Sequence, residues 1–184
     1  MDGFEPYDPE ITNPYVDGWQ RVEKFDYETH LYLARARTAI RGSRGREAEY
    51  IVAADYTCSV TVDGARHQIQ VPSGMLTDLA SVPRLGRLFI GRVGPHLEAA
   101  IVHDFLFLAW QRIAGRGART RDFDFANAVM QQAMIAADVG FLERNVIFLA
   151  VSSFVARGSY DAPNPGTTFV RVPPAAATRV PRAV

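Results

Sequence analysis

The chain has 184 residues, of which 48% are hydrophobic and 22% charged, the balance of an ordinary globular protein with one domain. Its 20 basic and 20 acidic residues cancel, which argues against a dedicated nucleic-acid binder, because such a protein carries a basic excess. A single cysteine, Cys58, excludes an internal disulfide and reads as a small apolar residue on a strand face.

The first residues, Met1 to Pro6, are acidic and lack the basic start and apolar run of a secretion signal. Residues 1 to about 18 hold Pro6, Pro9 and Pro14 without any period and read as an extended arm; the arm as a whole is assigned to residues 1–28. Alternation over Thr29 to Thr38, with Leu31 and Leu33 on one face, predicts a strand. After the Gly- and Arg-rich run 41–46, Tyr50 to Val62 and Ala65 to Val71 read as strands joined by Asp63-Gly64. That dipeptide is a strong hairpin signal, because the tight turn needs positive φ at both central residues.

Pro72-Ser73-Gly74 ends the predicted sheet, and a loop from Met75 to Pro83 follows. Three helices come next. The first starts at Pro95, a good first-turn residue, and runs to about Ala114. The second begins after Asp122, read as its N-cap, and reaches about Ala137. The third spans about Glu143 to Arg157 and is stopped by Gly158. The most apolar stretch, Val146 to Ala156, is short of the ~20 residues that cross a bilayer, so no membrane span is expected. Residues 159–184 are rich in Pro and Ala and read as a second arm. The expected architecture is therefore α+β: a small antiparallel sheet in the N-terminal half packed on a three-helix bundle, as a core at 29–158 with extended arms at both termini.

One constellation has the residue types for chemistry. His96 and His103 are two helical turns apart and so share a face with Ala99, Ala100 and Phe107. Asp104 points about 100° away from His103. Asp78 lies in the loop between sheet and helices, where a cleft would form. A histidine beside a carboxylate can be held as a base, which makes His103, Asp104 and Asp78 the candidate catalytic set. Two histidines and a carboxylate can also hold a divalent metal ion, the candidate ligands being His96, His103 and Asp78. Each has an ordinary alternative: Asp78 capping its own turn, His96 as a surface residue, His103 as a hydrogen-bonded core histidine. Ser81 lacks a glycine-flanked nucleophile pattern, and there is neither a phosphate-binding loop nor a dinucleotide glycine pattern. Arg119, Arg121 and Asp122 read either as surface charge or as a cradle for an anion, and Phe105, Phe107 and Trp110 as core.

Three stretches carry a family resemblance: Val71-Pro72-Ser73-Gly74, Thr77-Asp78-Leu79-Ala80-Ser81-Val82-Pro83, and Ala99 to Phe107 with its His103-Asp104 pair. Together with Ala126-Asn127 and Ala133-Met134 on the following helix, they resemble domain-of-unknown-function family 1353, over roughly residues 50 to 157. The resemblance implies a bacteriophage or prophage protein. It also implies Tyr where Phe107 stands and often Asp where Asn127 stands. The two helices are further similar in pattern to secreted phospholipases of the A-two type, in which a His-Asp helix faces a second helix bearing Asp. By that analogy His103 is the base and Asn127 replaces the orienting carboxylate, although the glycine-rich calcium loop and the disulfides of those enzymes are not visible here.

The leading expectation is a virion component, plausible in the tail, that binds other virion proteins or copies of itself through its two arms. It would reside in the virion or the host cytoplasm. The alternative is a hydrolase of lipid or cell-wall bonds with His103 as general base, with or without a divalent metal ion. A third reading is a regulatory binding module without catalysis.

Overall fold

The computed structural model describes residues 5–41, 47–77, 94–162 and 168–172. The fold is α+β, as expected, with strands filling the N-terminal half and helices the C-terminal half.

Among the described residues six strands form two antiparallel sheets rather than one. The first has the order β1 (Val22–Tyr27), β4 (Tyr56–Val62), β5 (Ala65–Val71). The second has the order β2 (Leu33–Arg41), β3 (Glu47–Val52), β6 (Leu76–Thr77). The predicted strand over Tyr50 to Val62 is thus two strands, because the chain leaves one sheet after Val52 and enters the other at Tyr56. The hairpin at Asp63-Gly64 forms as predicted, with φ of 49° and 80°, and pairs Val62 with Ala65. The Asp63 carboxylate also accepts from the backbone N–H of Gln20 (2.9 Å) and Arg21 (2.8 Å), which ties the incoming chain to the turn.

The N-terminal 28 residues are accordingly not an arm throughout. Residues 22–27 are β1, and Tyr15 is buried, its hydroxyl donating to the Leu106 carbonyl. The Pro-rich composition hid an aromatic anchor. The C-terminal segment likewise returns to the core: Phe169 and Val170 are buried and bridge Met75 and Pro6. Gly74, at φ 88°, makes room for this return, since a Cβ there would lie 2.1 Å from the Val170 carbonyl oxygen.

The helices among the described residues are α1 (Leu97–Ala109), α2 (Thr120–Ala136), α3 (Phe141–Val151) and α4 (Phe154–Asp161), with a 3₁₀ turn at Trp110–Arg112. α1 is apolar nearly all round and is correspondingly buried on most of its circumference. It packs against α2, which in turn packs on β1. Tyr27 of β1 donates to the Ala133 carbonyl of α2 (2.9 Å).

Two helix expectations are corrected. Asp122 is not the N-cap of α2 but its third residue, turned inward to Arg116, whose Nε and Nη2 donate at 2.7 and 2.8 Å. Arg116 also stacks 4.7 Å over the Tyr15 ring and pairs with Asp17. The third predicted helix is two helices, broken at Ser152-Ser153, where the Ser153 side chain accepts from the Ala156 N–H. Gly158 does not stop it; α4 continues to Asp161 and ends where Ala162, before Pro163, becomes extended.

Candidate functional site

The α1–α2 contact places His103 opposite Asn127. Asn127 sits on the buried stripe of α2, four residues after Phe123 and three before Met130, the spacing that keeps it facing α1. His103 Nε2 lies 2.9 Å from Asn127 Oδ1. With the amide oxygen turned to it, Nε2 carries the proton and donates, and the lone pair is left on Nδ1. Nδ1 is buried and has no hydrogen-bond partner among the described residues. The ring is only 2% exposed and lies 4.1 Å from the Phe107 ring. Phe107, Phe123, Tyr160 and Trp110 form one aromatic cluster beside it, at ring separations of 5.2 to 5.8 Å. Burial pushes the His103 imidazole down to about 4, and the Asn127 bond opposes this only in part, so the ring is neutral at pH 7.

Asp104, the next residue, turns elsewhere. Its Oδ2 accepts from Thr77 Oγ1 of β6 at 3.3 Å. His103 and Asp104 are therefore chain neighbours with different partners, one facing α2 and the other the strand edge. Asp78 lies outside the described residues. Thr77, to which it is covalently joined, meets Asp104.

His96 is not a surface residue. It occupies the N-terminal boundary of α1, is 3% exposed, and has Nδ1 3.1 Å from Glu143 Oε1 of α3. The contact is ionic in distance but lies off the line of a hydrogen bond. The two histidines of α1 thus engage different helices, His96 with α3 and His103 with α2. Among the described residues no three His, Cys, Asp or Glu side chains form a group that would hold a metal ion. Of the anion-cradle residues, Asp122 is consumed by Arg116, and Arg121 donates to the Trp19 carbonyl. Phe105 is core, as expected, and Phe107 is half-buried against His103.

Sequence reasoning missed three partners: Glu143, Thr77 and Arg116. Nothing local announces a pair such as His96–Glu143, 47 positions apart. Arg116 and Asp122 are separated by only six residues, but the intervening Gly117 and helix start hide the pairing. Asn127 was visible only through the family resemblance, although a lone amide in an apolar helical stripe is itself a signal of a buried partner.

A cleft of about 190 Å³ lies away from these histidines, between Pro6, Tyr7, Asp8, Arg112, Thr168 and Phe169. It is smaller than the roughly 300–1,000 Å³ of small-molecule sites, and its Arg112 is already held by Asp8 and Thr168.

Fold and site together define an α+β protein whose first two helices are joined by a buried imidazole–amide pair. The chain belongs to the family described as protein of unknown function (DUF1353), whose model matches residues 51–151, from β3 to the end of α3. No match was found among curated proteins or among solved structures. No helix among the described residues is long and apolar enough to cross a membrane.

Proposed function

We propose that the protein is a structural component of a bacteriophage or prophage particle, tail-associated, and that it works through a surface of its helical half. The single observation that carries this reading is the exposure of Phe141, Leu142, Val146, Leu149, Phe154 and Val155 on α3 and the start of α4. Scattered exposed apolar residues are normal, but six large ones within fifteen positions concentrate exposed apolar surface on α3 and the start of α4, and such a concentration favours an interaction surface there. The phage setting comes from the family resemblance alone. The two terminal segments, expected to reach outward, instead fold onto their own core where they are described, so the helical face takes over the role given to the arms.

In this reading the His103–Asn127 bond is an internal tie between α1 and α2, and the sealed imidazole performs no reaction. The test is the composition of purified particles from the phage or lysogen that encodes the chain. Mass spectrometry should find it in a fixed ratio to the tail proteins. Recovery only from the particle-free lysate would contradict the proposal.

One observation favours the second reading, a hydrolase of lipid or cell-wall bonds. An imidazole with Nε2–H fixed by a neighbour and a bare lone pair on Nδ1 is the arrangement of a general base that takes a proton from water. Asn127 holds the tautomer but, unlike a carboxylate, offers no charge to stabilise the imidazolium that would form. Water would also need an opening to a ring that is 2% exposed. His103→Ala decides this reading: equal lipid cleavage or cell-wall lysis by wild type and variant, including none by either, removes it.

A further inference from the structure

We infer that the cleft beside Arg112 binds a small monocarboxylate, and that the chain's own Asp8 takes the place of the ligand's carboxyl group while the site is empty. This goes beyond the assembly reading and rests on neither that reading nor His103.

The cleft is built where the N- and C-terminal segments run side by side. The Tyr7 N–H donates to the Phe169 carbonyl at 3.0 Å, and the Arg171 N–H donates to the Glu5 carbonyl at 2.9 Å. Arg112 ends the 3₁₀ turn that follows α1 and reaches this seam from the helical side. Its guanidinium is aimed from within. Nη2 donates to Thr168 Oγ1 at 2.7 Å, and Thr168 is only 4% exposed. The guanidinium carbon lies 6.0 Å from the centre of the Phe169 ring, which is fully buried. A buried hydroxyl and a buried ring thus orient the fork, whichever group sits on Nη1.

That group is Asp8 Oδ1. The Asp8 side chain is 74% exposed and that of Arg112 is 28% exposed, so the cation is held by the protein while its partner stands nearly in water. An exposed ion pair of this kind contributes little to stability and is exchanged at little cost. A ligand carboxylate on Nη1 would make the same charge-assisted bond and would add contacts that Asp8, fixed to its own backbone, does not make.

Size and charge narrow the ligand. The cleft of about 190 Å³ is walled by Pro6, Tyr7 and Phe169 beside the polar groups. That is too little for a drug-sized molecule but enough for an acid of a few heavy atoms, its carboxylate on Arg112 and its short carbon chain against the rings. Among the described lining residues Arg112 is the one cation, so a singly charged group matches it. Arg171, 5.4 Å over the outer Tyr7 ring, already faces Glu5 at 3.8 Å. A phosphate would bring more charge than the site balances and nothing apolar to lay on the rings.

The test is an NMR titration of the full chain with sodium propanoate at constant ionic strength, set beside propanamide, phosphate and chloride. Propanoate should shift the backbone amides of Tyr7, Asp8, Arg112, Thr168 and Phe169 saturably, with a Kd on the order of millimolar, as suits so small a ligand. Asp8→Ala changes an exposed side chain, so it should fold as wild type does and bind propanoate up to about fivefold more tightly, because the internal competitor is gone. Arg112→Gln should lose the saturable shift; if it fails to fold, Asp8→Ala alone decides. Shifts no larger than those with chloride, in both wild type and Asp8→Ala, overturn the inference. So does an affinity that Asp8→Ala leaves unchanged or weakens, or propanamide or phosphate binding as tightly as propanoate.

Discussion

His103 Nε2 and Asn127 Oδ1 meet at 2.9 Å between two helices whose buried residues are mostly apolar. The bond satisfies the amide oxygen and the imidazole N–H together, and among the described residues it leaves one imidazole nitrogen without a partner. Buried polar groups are nearly always paired, so the arrangement fixes where the cost of burial falls if either partner is changed.

Asn127→Leu should remove one partner and strand the other. Leaving a buried N–H unsatisfied costs about 1–3 kcal/mol. At roughly 2–4 °C per kcal/mol for a chain of this size, the melting temperature should fall by several degrees. His103→Leu in the same background should recover part of the loss, because the orphaned group is then gone. Calorimetry on the three variants checks this; additive losses would contradict the pairing.

Stability should depend on pH through His103. Its folded value is about 4 and its unfolded value about 6.5, so between these pH values the unfolded chain binds more protons. This stabilisation is fully present above pH 6.5 and is lost as pH falls through 6.5 towards 4. The difference corresponds to about 3 kcal/mol from this group alone. Urea denaturation at pH 7 and pH 4.5 should show the decline in wild type and a smaller one in His103→Gln; identical declines would place the imidazole in solvent.

The pair Arg116–Asp122 should behave as a buried ion pair, since both side chains are nearly inaccessible. Arg116→Met leaves the Asp122 carboxylate in the core and should cost about 3–5 kcal/mol. Arg116→Met with Asp122→Leu should be markedly more stable than Arg116→Met alone. Denaturant midpoints of the two variants give the answer.

Much of the fold was legible in the sequence, for identifiable reasons. Asp63-Gly64 specified its hairpin because the turn requires left-handed φ at both positions. The apolar run of α1 and the stripe of α2 specified two packed helices, and the motif around His103 specified the family. What stayed hidden is long-range. Tyr15 lies in a Pro-rich stretch but anchors on Leu106; Phe169 follows a Pro- and Gly-rich stretch but is core; Ser153 reads as one more helical residue until its side chain is seen capping α4. Of the candidate site, the sequence put His103 at the centre but joined it to Asp104. The helical angle between neighbours sends Asp104 to Thr77, and the true partner is an amide 24 positions on. Asp78 falls outside the described residues.

Gly74→Ala should be the most damaging single-methyl change in the sheet region. The added Cβ meets the Val170 carbonyl at 2.1 Å and sits at a φ of 88° that alanine adopts poorly. Strain of this kind costs on the order of 1–3 kcal/mol before the clash is counted. Urea denaturation should show that loss or more in the full-length chain. A change below a few tenths of a kcal/mol would mean that the segment around Phe169 does not dock beside Met75.

If, as proposed, the chain is a phage particle component that works through its helical face and His103 is only architecture, complementation of a phage lacking this gene separates the two most directly. Plasmid-borne Val146→Asp should fold but fail to restore infectious particles, while His103→Gln, provided it remains folded at the assay temperature, should restore them. The reverse result, particles with Val146→Asp and none with folded His103→Gln, would contradict the assembly reading and return the function to the imidazole.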